Sequence, residues 1–130
     1  EKGVDLDAHP ALQVREYIYD MALVMRAADL VVSRAGASTL SELAALGVPA
    51  VLVPSPNVTN DHQTKNARAL EEAGAAVLLP EKDASAQALF QVCGGILHDP
   101  ARQAEMAGNM AALGVPDAAE RILDTVRALL

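Results

Sequence analysis

Three short runs that are apolar at nearly every position limit what this chain can become: Leu30-Val31-Val32 leading into Ser33, Ala50 to Val53, and Ala76 to Leu79. A strand with one wet face alternates apolar and polar residues, and these runs do not alternate. They must be buried on both faces, which is the mark of a parallel sheet covered by helices on each side. Prolines close the second and third runs at Pro54 and Pro80, and segments of helical periodicity separate all three. The expected class is α/β, a Rossmann-like doubly wound parallel sheet.

The remaining segments fit that frame. Val14 to Ile18 reads as a further short strand, and Asp20 is placed to cap a helix from about Met21 to Ala28. Further helices are expected over Ser38 to Leu46 and over about His62 to Ala73, with Gly47 and Gly74 as their stops. Ala67, Leu70 and Ala73 share one face of the latter. Three helices close the chain. Leu89, Val92, Cys93 and Ile96 stripe the first, Ala104, Ala107 and Ala111 the second, and Pro116-Asp117 starts the third, with Ile122, Val126 and Leu129 on its apolar face. Glu1 to Pro10 and Ser55 to Asp61 read as loops.

Hydrophobic residues make up 52% of the 130 positions but aromatics only 2%, so small residues must pack the helices onto the sheet. At this length one domain with a real core is expected, spanning residues 1–130. The formal charge of -7 opposes binding to nucleic acid through phosphates. Cys93 is the only cysteine, which excludes an internal disulfide and cysteine-based zinc spacing; it reads as a small buried hydrophobe. No run approaches the roughly 20 apolar residues of a membrane helix, and the chain does not begin with methionine.

In a parallel α/β sheet, ligands bind outside the carboxyl ends of the strands. The turns Tyr19-Asp20, Arg34 to Ser38 and Pro54 to His62 should therefore cluster at one edge. The turn after Ser33 is built of Ala35, Gly36 and Ala37, small enough for a ligand to approach the backbone. The helix behind it offers free N–H groups and a positive dipole end to a phosphate. Thr39-x-x-Glu42 admits two readings. It matches a capping box, and Glu42 also offers two acceptors to the adjacent hydroxyls of a ribose.

Asn60 to Asn66 carries side chains suited to sugar hydroxyls, or simply an Asn/Asp cap on a solvated helix start. Arg34 either pairs with an acidic neighbour or reaches a phosphate. Met21 and Met25 read as a core pair, and His9 and His98 as exposed. One histidine beside one aspartate, His62 and Asp61, with no nucleophile in place makes no catalytic pair.

Several segments, in this order, resemble the MurG family of UDP-N-acetylglucosamine transferases (glycosyltransferase family 28, GT-B fold). They are Tyr17-Ile18-x-Asp20-Met21, Ala28 through Glu42, Gly47-Val48-Pro49, Val53-Pro54, Asp61-His62-Gln63, Asn66-Ala67, Leu70-Glu71-x-Ala73-Gly74-Ala75 and the Pro116 to Arg121 stretch. The resemblance runs from about Val14 to the C-terminus. It implies the C-terminal, donor-binding domain of an inverting enzyme that moves N-acetylglucosamine from UDP to a lipid-linked acceptor in peptidoglycan synthesis. For the full-length enzyme it implies a place on the inner, cytoplasmic face of the bacterial membrane.

Carried over by position, the resemblance has Ile18 meet the uracil through its backbone, with Met21 nearby. Gly36, Ala37, Ser38 and Thr39 meet the diphosphate and sugar, and Glu42 the ribose. His62, Gln63 and Asn66 fall where the family reads the sugar, His62 standing where a glutamine is usual. No catalytic residue, metal or cofactor is expected in this chain. The family's N-terminal acceptor domain and the first strands of its donor domain are absent from it, so Val14 to Ile18 is expected to lack a neighbouring strand. The unpaired edges then lead to the expectation of rearrangement, of pairing with a second copy, or of a chain that is a remnant of a longer protein. A relative using another acceptor, such as diacylglycerol or a dolichol-linked sugar, and a non-catalytic sugar-nucleotide module remain open alternatives.

Overall fold

A computed structural model describes residues 10–56, 62–114 and 126–128. Its elements are α1 (Met21–Ala27), β1 (Val31–Ser33), α2 (Ala37–Leu46), β2 (Ala50–Leu52), α3 (His62–Glu72), β3 (Ala76–Leu78), a 3-10 turn (Glu81–Asp83), α4 (Ala86–Leu97) and α5 (Pro100–Ala112). The strands form a parallel sheet in the order β1-β2-β3, with Val32 opposite Val51 and Val51 opposite Val77.

The absence of alternation has its expected consequence at β2, but β1, at the edge of the sheet, is not buried on both faces, and its Val32 is 47% exposed. Ala50 and Leu52 join a core of Met25, Leu43, Ala67 and Met110 on one face. Val51, between them, packs on the other face with Ile96 and Met106. Both faces of β2 are dry, and Ala50, Val51 and Leu52 are all fully buried. Alanines at 35, 44, 50, 67, 75 and 76 supply much of the buried apolar surface, so helices sit close to the sheet without aromatic filling. α2 and α3 both end on glycines in the left-handed region, Gly47 at φ 67° and Gly74 at φ 76°, where a side chain would be strained.

Four further expectations are corrected. Residues 14–18 form no strand. Val14 and Tyr17 are exposed, since no strand among the described residues stands beside them to accept their backbone bonds. Asp20 precedes α1 but makes no side-chain capping bond. On α5 the buried residues are Met106 and Met110, long enough to reach both cores, while Ala104 and Ala111 are exposed. On α3, Ala67 and Leu70 face the core but Ala73 does not. The helix expected from Pro116 lies outside the described residues except for its 126–128 turn.

The two edges of the sheet differ. At β3, the Leu78 N–H donates to Glu71 Oε2 at 2.7 Å, so α3 covers that edge with a side chain. At β1, Val32 is 47% exposed. No strand among the described residues lies beyond it.

Candidate functional site at the carboxyl edge of the sheet

Each helix connecting parallel strands runs back against them, so the starts of α2 and α3 lie at the carboxyl edge. α2 is the best placed to receive a ligand. Its N-cap is Gly36 in extended conformation (φ -67°, ψ 144°), with no side-chain capping bond. α4 and α5 are capped differently: Ser85 accepts from Ala88 N at 3.1 Å and Asp99 from Arg102 N at 3.2 Å. At α2 the first N–H groups, those of Ala37, Ser38 and Thr39, are met by no side chain among the described residues.

The capping-box reading of Thr39 and Glu42 is thereby overturned. The helix begins at Ala37, which puts Thr39 in its third position instead of at the cap. From there a hydroxyl no longer faces the free N–H groups of the first turn. Glu42 is exposed one turn further on. A Cβ built on Gly36 would meet nothing within 4 Å, so the space before the helix is open.

Gln63, in the first turn of α3, ties the edge together. Its Oε1 accepts from Ala35 N at 3.2 Å and from Ser55 N at 2.8 Å. One side chain thus joins the turn before α2, the loop after β2 and the start of α3. Asn66 follows one helical turn later, half-buried on the side that carries Ala67 and Leu70 into the core, while His62 is exposed. Ile18 is half-buried and Met21 is exposed at the start of α1, so only Met25 of the methionine pair is core.

Arg34 takes an acidic neighbour. Its Nη2 lies 2.5 Å from Glu81 Oε1, and its Nη1 donates to Val53 O at 3.3 Å. Sequence reasoning did not identify Glu81, which lies 47 residues away. It also missed a cavity of about 570 Å³ between the loops after β2 and β3, lined by Pro54, Thr64, Arg68, Pro80 and Lys82. Cys93 packs against the Val51–Ile96 core, and burial pushes its thiol pKa up. Among the described residues there is no cluster able to hold a metal ion.

In parallel α/β folds the carboxyl edge, where the start of α2 lies, is where ligands bind. Residues 2–122 match the glycosyltransferase family 28 C-terminal domain, and the chain belongs to that family. It is 57% identical over 125 residues to a protein of Salinibacter ruber named UDP-N-acetylglucosamine–N-acetylmuramyl-(pentapeptide) pyrophosphoryl-undecaprenol N-acetylglucosamine transferase, covering 96% of this chain and 34% of that one. A protein of Acetivibrio thermocellus with the same name is 46% identical, with 93% and 33% covered.

The crystal structure of Acinetobacter baumannii MurG superposes with a TM-score of 0.77 at 36% identity, over 89% of this chain and 35% of that one. The chain therefore spans about a third of the length of the relatives it matches. No helix of the described residues is long and apolar enough to cross a membrane.

Proposed function

We propose that this chain is the donor-binding part of a glycosyltransferase and that it takes UDP-N-acetylglucosamine at the carboxyl edge of its sheet. The observation that carries the reading is the start of α2. Its free N–H groups and positive dipole end lie beside the first turn of α3, and together they suit a diphosphate linked to a sugar.

In this reading Gly36, Ala37, Ser38 and Thr39 meet the diphosphate and the sugar. Glu42 accepts from the two ribose hydroxyls. Ile18 and Met21, at the start of α1, flank the uracil, and His62, Gln63 and Asn66 face the sugar. The full-length enzyme would pass N-acetylglucosamine, with inversion, to the lipid-linked acceptor that its relatives' names describe. In this reading it works at the inner face of the cell membrane. The acceptor and the base that activates its hydroxyl belong to the N-terminal acceptor domain, and the open edge of β1 is where a further strand or a second copy would add.

Calorimetry with UDP-N-acetylglucosamine tests the reading directly. A carboxylate on a diol at an exposed site contributes about 1–2 kcal/mol. Glu42→Ala should therefore weaken binding by roughly 5- to 30-fold. Equal binding by the variant and the parent chain removes Glu42 from the ribose.

A further inference from the structure

We propose that Gln63 is a positioning residue whose amide oxygen locks the turn that aims the start of α2, leaving only its N–H donors for a ligand. Ala35 is fully buried, so its N–H cannot turn to water. It lies past the end of β1, where the sheet ladder supplies no acceptor. A buried backbone donor needs a partner, and Gln63 Oε1 is that partner. The same oxygen takes the Ser55 N–H from the loop after β2. Two N–H donors can be met only by the oxygen end of an amide, so the orientation of the side chain is settled by its partners.

Two consequences follow. First, the direction of the α2 N–H groups is tied to the position of α3, because Ala35 immediately precedes Gly36. A shift of α3 frees the Ala35 N–H and loosens the turn. Second, both lone pairs of Oε1 are occupied, so a ligand at this side chain meets NH₂ and must present an acceptor oxygen. This second consequence rests on the sugar-nucleotide reading, whereas the first does not.

The two roles separate in variants of the chain. Gln63→Ala removes acceptor and donor together. Gln63→Glu keeps an oxygen for Ala35 and Ser55 but replaces the ligand-facing donor with an acceptor. Amide hydrogen exchange on the ¹⁵N-labelled chain reads the lock without any ligand.

The Ala35 and Ser55 amides should be protected in the parent chain and exchange about tenfold faster in Gln63→Ala. The Val53 amide, held by Ser33 O at 2.9 Å, should not change. Gln63→Glu should restore protection at both positions yet bind UDP-N-acetylglucosamine at least tenfold more weakly. The lock is refuted if either amide is unprotected in the parent chain, or if either fails to respond to Gln63→Ala. Should Gln63→Ala unfold, Gln63→Glu decides: protection at both amides supports the lock and exposure of either refutes it. If the parent chain binds no UDP-sugar, the donor reading fails while the exchange result still judges the lock.

Discussion

Gly36→Ala separates a glycine kept for the fold from one kept for a ligand. In the folded chain the new methyl meets nothing within 4 Å, and φ -67°, ψ 144° is a conformation any residue adopts. Two small terms remain, of opposite sign. Alanine is the poorer N-cap, by about 0.5–1 kcal/mol. It also restricts the unfolded chain, which returns about 0.4–1 kcal/mol. The net change in stability should lie within about 0.5 kcal/mol of zero.

Binding should respond very differently. A phosphate oxygen held by the N–H groups of this turn must approach to within about 2.9 Å, and a methyl at the N-cap stands in its way. Losing one charge-assisted bond at a site open to water costs about 1.5–3 kcal/mol, or roughly 10- to 150-fold in affinity for UDP-N-acetylglucosamine. Denaturant unfolding and calorimetry on the same preparation measure both quantities. Unchanged affinity in a stable variant refutes the placement of the phosphate over Gly36. A parallel loss of stability shows instead that the methyl meets protein.

Two other outcomes check the fold. Leu43, fully buried where α2 packs on the sheet and α5, should cost about 3 kcal/mol in urea unfolding when changed to alanine; a loss under about 1 kcal/mol contradicts that packing. Cys93 holds its proton more tightly when folded, so iodoacetamide should modify it more slowly in the native chain than in urea, at any pH below its raised pKa. The linked stability is fully present below the unfolded thiol pKa and is lost as pH rises through the folded one. Equal alkylation rates in the two states contradict the burial of this thiol.

The strands were legible because Ala50 to Val53 and Ala76 to Leu79 are apolar throughout and Leu30 to Val32 nearly repeats them, a property each segment carries alone, although Val32, at the open edge, stays 47% exposed. Helix stops at Gly47 and Gly74 were legible for the same reason, since a left-handed residue is a local demand. Val14 to Ile18 was not, because a strand exists only with a neighbour and its propensity says nothing about whether one stands there. Thr39-x-x-Glu42 misled for a finer reason: its spacing is right for a capping box, but a start at Ala37 moves Thr39 out of the capping position. The ties that shape the site, Gln63 to Ala35 and Arg34 to Glu81, span 28 and 47 residues and leave no periodic trace in the sequence.

Those ties bear on why the start of α2 is left without a cap. A serine or aspartate at position 36 would satisfy one of the first N–H groups and stabilise the helix by about 1 kcal/mol, as Ser85 and Asp99 do for one N–H each of α4 and α5. With glycine there, the turn is held from outside instead. Ala35 is buried and bonded to Gln63, Leu40 and Leu43 anchor the helix in the core, and the Leu40 N–H reaches Gly36 O at 3.1 Å. The N–H groups of Ala37, Ser38 and Thr39 therefore keep a fixed direction, and no side chain among the described residues takes them. A side-chain cap would have occupied one of them and filled the space before the helix, and a floppy turn would have made a ligand bear the cost of ordering it. Holding the turn through Gln63 avoids both, which is why this glutamine should matter to binding even where it touches no ligand.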